Sequence, residues 1–371
     1  MASHKIARID VYQTTLSYSG GTYTLSKNRT YTCFDATFVR ITTSSGLEGW
    51  GESTPFGATY VAAHGLGIRA AIAEIAPHLL GLDVRHVDRI NDAMDAALAG
   101  HESAKAAIDI ACWDVFGKAV GMPVCDLLGG RTDVDLLIIS SIYVGTPEEM
   151  RARVAEHRRL GYMGHSIKIA GEPGADAARI TAALADREPD ELFLVDANGG
   201  LTVETGLRML RLLPPELDFI LEAPCATWRE CRSLRARTDV PIHFDELAMT
   251  DASIVQMIAD DAVEGIGMKI SKNGGLTRCR RQRDMCIAAG YTLSVQDTVG
   301  SDIAFAAIVH MGQTVPERYL RCILETRDMV TVKTADGPFE VVGGRIRAPT
   351  LPGLGVSPRM DVLGEAVASY F

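Results

Sequence analysis

The chain has 371 residues, 47% hydrophobic and 23% charged, with a formal net charge of -10. That length suits a barrel plus a smaller partner better than one average domain. The acidic balance, without any basic tract, argues against nucleic acid or an anionic membrane as a partner.

The start, MASHKIARIDVY, runs straight into an alternating strand pattern rather than a leader. No apolar stretch reaches the roughly 18 to 20 residues needed to span a bilayer, so a cytoplasmic protein is expected. Residues 5–52 alternate polar and apolar positions and turn at Ser45-Gly46, which predicts a meander with Trp50 in its core. Helical patterns follow over residues 60–80, where Pro77 cuts the period short, over 87–99, and over 104–120. Residues 1–128 are expected to form a small α+β domain, with Gly129-Gly130 as the break after it. From there to residue 330 the pattern becomes strand, helix, strand, helix. LLIISSIY reads as the first strand, and Thr146-Pro147-Glu148-Glu149 supplies a cap, a first-turn proline and a capping-box acid. Thr227 to Glu230 repeats that spacing, and Asn273-Gly274-Gly275 turns the chain before an Arg-rich helix. YTLSVQD and YLRCILE read as the seventh and eighth strands. Residues 331–371 carry a hairpin-like pattern around Gly343-Gly344 and are expected to leave the barrel and pack on the first domain. The eight cysteines include no CxxC pair and read as structural thiols, with Cys322 near the eighth strand.

Five runs inside the barrel region carry the chemistry. HSIKI, FLVDAN, FILEAP, IHFDE and GMKIS recur about every 25 residues, one strand and one helix apart. Each puts an ionisable residue near its carboxyl end: Lys168, Asp196, Glu222, Asp245 and Lys269. In a closed barrel these ends converge on one face. Alternation places Ser166 with Lys168, Ser271 with Lys269, and Asn198 with Asp196 toward the axis. Three acids so clustered repel one another unless a cation holds them. Zinc is disfavoured, since none of the three is His or Cys. A hard ion such as Mg²⁺ takes oxygen ligands and helps an α-proton leave a carboxylate. Lys168 and Lys269 would then serve as bases, their ordinary pKa of about 10.4 depressed by burial and the cation. Ion pairing at a barrel rim is the bland alternative for any single member. His64, His165 and His243 read as structural, because His165 alternates away from Lys168 and His243 lies deeper than Asp245.

Taken together, VDAN, LEAP, FDE and MKISKNGG resemble the strand-end motifs of the muconate-lactonizing/mandelate-racemase-like branch of the enolase superfamily. GWGE around Glu52 and AKAAIDIACWDVFGKAVGMPVCDLLGG resemble its capping-domain signatures. The resemblance implies a modified (β/α)7β TIM barrel, an α+β capping domain completed by the C-terminal tail, and one Mg²⁺ per active site. It also implies Asp196, Glu222 and Asp245 as ligands, with Lys168 and Lys269 as bases on opposite sides of the substrate. One departure stands out. The branch usually has Lys-x-Lys on the second strand, and this chain has Ser166-Ile167-Lys168, so the grip on the substrate must differ.

Within the branch, TPFGATYVAAH, GMKISKNGG and SVQDTVGSDIA are similar to enzymes of proline derivatives, the cis-3-hydroxyproline dehydratases and hydroxyproline-betaine epimerases. The epimerases place an aromatic residue near the eighth-strand end, where a cation–π face suits a quaternary ammonium. Leu324 takes that position here, which disfavours a betaine. A secondary ammonium needs acceptors, and Asp297 beside Gln296 offers one, unless it forms a rim ion pair. Tyr60, on a loop from the first domain, is expected to close over the pocket. The favoured expectation is a dehydratase of cis-3-hydroxy-L-proline, a small amino-acid substrate, giving Δ1-pyrroline-2-carboxylate. The alternatives are a two-lysine epimerase, an acid-sugar dehydratase or lactonizing enzyme, and a barrel that only binds a small acid. A homo-oligomer is expected.

Overall fold

The computed structural model describes residues 3–371. The first segment builds an antiparallel sheet from β1 (Ile6–Ser17), β4 (Cys33–Thr43) and β5 (Glu48–Ser53), with the ribbon β2 (Tyr23–Leu25) and β3 (Arg29–Tyr31) between. The turn at Ser45-Gly46 needs glycine, because Gly46 has φ +81°. Helices α1 (Gly65–Ile75), α2 (Val87–Ala97), α3 (Glu102–Val120) and the short α4 (Val124–Leu127) follow. The pattern over residues 60–80 becomes a helix only at Gly65, because His64 accepts the Gly67 N–H as an N-cap. Tyr60 is thereby left on a loop.

The GWGE run has a structural reason. A Cβ on Gly49 would lie 2.4 Å from Val115 Cγ2, and one on Gly51 only 2.0 Å from the Ala107 carbonyl oxygen. The two glycines let α3 lie directly on β5. Trp50, between them, is 4% exposed and packs on Tyr12, as expected of the meander core.

The barrel strands are β6 (Leu136–Ile142), β7 (Gly164–Lys168), β8 (Leu192–Asp196), β9 (Ile220–Glu222), β10 (Ile242–Phe244), β11 (Gly265–Lys269), β12 (Thr292–Gln296) and β13 (Leu320–Leu324). They pair in that order, all parallel, and β13 closes on β6. The intervening helices are α5 (Pro147–Arg159), α6 (Pro173–Leu184), α7 (Val203–Leu212), α8 (Trp228–Arg235), α9 (Asp251–Ala259), α10 (Leu276–Ala289) and α11 (Asp302–Gly312). Eight strands with seven helices make the (β/α)7β barrel. Thr146 and Glu149 close the capping box that starts α5. At α8 the Glu230 carboxylate accepts the Thr227 hydroxyl proton, so only the Thr227 half of the box forms. Leu137, Ile139, Leu194, Cys322 and Leu324 fill the barrel axis beneath the site, while a larger apolar layer joins strands to helices.

The tail completes the capping domain and touches the barrel as well. Its β17 (Ala368–Tyr370) pairs antiparallel with β1, and the Leu354 N–H donates to Asp114 on α3. Before that it touches the barrel. The strand β15 (Arg345–Ile346), which follows β14 (Ala335–Asp336), pairs with Leu137 and Leu136 at the start of β6. The turn at Gly343-Gly344 permits this, with φ of +56° and +71°. Then come β16 (Ser357–Pro358), which pairs with β14, and α12 (Met360–Leu363). All eight cysteines are free, and seven are buried. Among the described residues no helix is long and apolar enough to cross a membrane.

Candidate active site

Strand register, rather than sequence distance, assembles the site. Lys168 pairs with Asp196, Asp196 with Glu222, and Lys269 with Gln296, so their side chains stand at one height around the barrel mouth. Asp245 follows the last residue of β10 and joins them. Asp196, Glu222 and Asp245 are fully buried.

Each acid has a distinct set of partners. Asp196 pairs with the Lys168 ammonium, and takes the Asn198 backbone N–H at 2.7 Å and side-chain amide at 2.9 Å. Asn198 does this from a left-handed backbone (φ +44°), so the strand stops at Asp196 and the asparagine folds back on it. Asp245 is held by Lys269 and by Lys272, each at 2.6 Å, and takes the Tyr60 hydroxyl at 2.9 Å. Glu222 is different. Its Oε1 accepts from Gln296 at 3.0 Å, and its Oε2 is buried with no partner. Space for that carboxylate exists because Gly267 has no side chain: a Cβ there would lie 2.4 Å from Glu222 Oε1.

The electrostatics follow from these partners. Burial, with Asp196 and Asp245 nearby, pushes the Glu222 carboxyl up to about 8. Burial opposes ionisation of Asp245 too, but Lys269 and Lys272 outweigh it and hold that carboxyl well below the usual range. The neighbouring Glu246 is pushed up to about 7, by burial first and then by Asp245 and Asp196. With only the protein's own groups beside them, the lysines are not depressed. Burial does press on both, yet Asp196 beside Lys168 and Asp245 beside Lys269 prevail and hold both ammonium groups above their ordinary value. As the side chains stand, no three acidic, His or Cys residues among those described converge on one point. The lysines neutralise two of the acids instead. The spare Glu222 oxygen, the gap at Gly267 and an all-oxygen donor set fit a hard divalent cation.

A small cavity lies between the two lysines. Every substrate contact expected from the sequence borders it: Ser166, Tyr60, Gln296, Asp297 and Leu324. Three of these are already engaged, Tyr60 through its hydroxyl on Asp245. Gln296 is tied to Glu222. Asp297 accepts from the Ser271 hydroxyl at 2.7 Å and from the Ser271 and Thr298 N–H groups, and burial pushes it up to about 6. No rim cation pairs with it among the described residues. Ser166 has no side-chain partner. Leu324 is aliphatic, and the aromatic lining comes instead from the cap, through Tyr23, Phe56 and Tyr60. The three histidines are structural: His64 caps α1, His165 bonds Ser140 and Glu191, and His243 bonds Thr292.

Lys272 is the residue that sequence reasoning missed. It is 1% exposed and reaches back from the turn after β11 to Asp245. Its signal was its place three residues beyond Lys269 in KISKNGG, where a single turn of chain returns it to the same side.

A closed parallel barrel with carboxylates on consecutive strand ends, lysines across the mouth and a cap over it defines a family. Residues 149–362 match the enolase C-terminal domain-like family, and residues 27–129 match the mandelate racemase/muconate lactonizing enzyme N-terminal domain. The chain is an enzyme of the enolase superfamily, in its mandelate racemase/muconate lactonizing branch. It is 40% identical to a cis-3-hydroxy-L-proline dehydratase of Roseibium aggregatum, over 99% of this chain and 100% of that protein. A structure from Aspergillus oryzae, assigned to the same branch, shares 69% identity with a TM-score of 0.94 over 99% of each chain. Another, from Roseovarius nubinhibens and complexed with magnesium, shares 53% identity with a TM-score of 0.97 over 99% of this chain and 100% of that one.

Proposed function

We propose that this enzyme removes the α-proton of cis-3-hydroxy-L-proline and expels the 3-hydroxyl, leaving an enamine that becomes Δ1-pyrroline-2-carboxylate. The observation that carries the proton-transfer part is the placement of Lys168 and Lys269 on one cavity beside three buried carboxylates. The full-length similarity to the Roseibium dehydratase supports the choice of substrate.

Asp196, Glu222 and Asp245 would hold one Mg²⁺, with the unpartnered Glu222 Oε2 as a ready donor. Bound there, the ion draws electron density from the substrate carboxylate and so acidifies the α-carbon. The protein's own groups do the rest. Asn198 keeps Asp196 oriented, and Gln296 does the same for Glu222. Either Lys168 or Lys269 takes the α-proton, once its ammonium group no longer pairs with Asp196 or Asp245. Tyr60, Phe56 and Tyr23 cover the cavity and keep water from a carbanion-like centre. Asp297 faces the substrate amine, its charge steadied by Ser271 and Thr298.

The same two lysines serve a 2-epimerase equally well, so the test must separate the reactions. Purified protein with Mg²⁺ and cis-3-hydroxy-L-proline in deuterated water is followed by proton NMR. Loss of the C3–O bond with appearance of the cyclic imine is the expected result. Exchange at the α-carbon without elimination would move the assignment to the epimerase, and neither signal would reject the substrate.

A further inference from the structure

Elimination needs a proton for the departing oxygen as well as a base for the α-proton. On the cavity wall a second set of hydroxyls stands unused. The Tyr23 phenol oxygen and the Ser141 Oγ lie 2.5 Å apart. They come from different parts of the fold, Tyr23 from the ribbon of the cap and Ser141 from β6 of the barrel. Ser141 is the register partner of Ser166 on β7, so two serine hydroxyls stand side by side next to Lys168. All of them border the one cavity.

Tyr23 is 1% exposed and packed among the rings of Tyr18, Phe56 and Tyr143 at 5.1 to 5.9 Å. Its only hydrogen-bond partner among the described residues is Ser141; either oxygen can donate, and in the arrangement proposed below the phenol does. Burial also raises the phenol above its ordinary value, so it stands protonated at neutral pH. In that arrangement Ser141 accepts from Tyr23 and keeps its own proton free. Ser141 is half-buried and has no other side-chain partner among the described residues, and it borders both the active-site cavity and a second pocket beside Ser140 and Tyr143.

We propose that Ser141, backed by Tyr23, delivers the proton to the leaving 3-hydroxyl of the substrate, and that this hydroxyl pair selects β-hydroxy amino acids for elimination. The proposal rests on the dehydratase reading given above. The step balances. The electrons of the α-C–H bond become the C2–C3 double bond as the C3–O electrons leave with oxygen. That oxygen takes the Ser141 proton and departs as water. Ser141 takes the Tyr23 proton, and solvent then reprotonates the phenol and takes the α-proton from the lysine. Ser141 is the catalytic residue of the pair, and Tyr23 positions and recharges it.

The test compares the wild type with Ser141→Ala and Tyr23→Phe in deuterated water with Mg²⁺ and cis-3-hydroxy-L-proline. Two rates are read: deuterium entry at the α-carbon of recovered substrate, and formation of the imine. A general acid contributes about 10²- to 10⁴-fold. Ser141→Ala should lose at least about 100-fold in elimination while α-exchange stays within about threefold, so deuterated substrate accumulates. Tyr23→Phe keeps the ring and should lose elimination selectively by about tenfold or more. A 3-chloro analogue, whose halide needs no proton, should restore elimination in both variants. Equal loss of exchange and elimination would mean a packing role and would overturn the proposal, as would unchanged elimination. A wild type that eliminates while the variants do too sinks only this proposal. A wild type inert toward the substrate sinks the dehydratase reading first, and this one with it.

Discussion

Replacing Gly267 by alanine tests the metal assignment without replacing any ligand. The new Cβ would sit 2.4 Å from Glu222 Oε1, 3.3 Å from Gln296 Nε2 and 3.6 Å from Asp245 Cβ. The first distance is far inside contact, so something must move. The backbone of β11 is hydrogen-bonded on both sides in a closed barrel, whereas a carboxylate at the end of a side chain can swing. The strain should therefore fall on Glu222 rather than on the fold. Overpacking of this size costs about 1–3 kcal/mol. If that cost is charged to the cation-bound arrangement, magnesium affinity drops by about 5- to 150-fold. Isothermal titration with MgCl₂ reads the affinity, and thermal unfolding in EDTA reads the fold. The expected result is weaker magnesium binding and lower turnover at fixed magnesium, with cooperative unfolding preserved. Wild-type magnesium affinity in Gly267→Ala would refute the placement of Glu222 at the metal.

Three further outcomes follow from the same geometry. Lys168→Ala and Lys269→Ala should each lower turnover by about 10²- to 10⁴-fold at saturating magnesium; a variant retaining full turnover would remove that lysine from the mechanism. Glu222 carries its proton in the folded, magnesium-free protein up to about pH 8, while unfolding returns it to its ordinary 4.5. Between those values the folded state binds more protons, so its contribution to stability falls as pH rises, and Glu222→Gln should flatten that slope in urea unfolding with EDTA. An unchanged slope would contradict the shift. Glu52 accepts four hydrogen bonds, from Thr54 Oγ1, Ser301 N, Ser301 Oγ and Ala304 N, and so ties the cap to the start of α11. Glu52→Ala leaves three of those donors buried and unpaired, the Ser301 hydroxyl keeping Thr334, at about 1–3 kcal/mol each before relaxation, and should cost at least about 3 kcal/mol in urea unfolding.

The sequence made the barrel legible because its strands carry two signals at once, an apolar run and a polar residue at the carboxyl end. Lys168, Asp196, Glu222, Asp245 and Lys269 could be placed around one mouth from period alone. Contacts made by loops were not legible in the same way. Tyr60 was expected over the pocket, but its bond to Asp245 depends on where His64 starts α1. Asn198 was read as a continuing strand, and its left-handed turn onto Asp196 has no periodic signature. Gly267 was visible in GIGMK two positions before Lys269, on the same face, yet only a neighbouring strand reveals what fills its empty side. The two-residue β15 is too short to register as a strand at all. The pairing of Tyr23 with Ser141 joins residues more than a hundred positions apart, through a ribbon whose docking angle no local pattern encodes.

The sheet order β17-β1-β4-β5 has a consequence for biosynthesis. Residues 9–11 find their outer neighbour only in residues 368–370. On a ribosome elongating at about 5–20 residues per second, β1 waits roughly 15 to 60 seconds after β5 has emerged. For that interval its outer backbone groups are unpaired, the condition that invites pairing with a stranger. Until residues 368–370 have emerged, this edge of β1 is therefore a place where chaperone cover would matter.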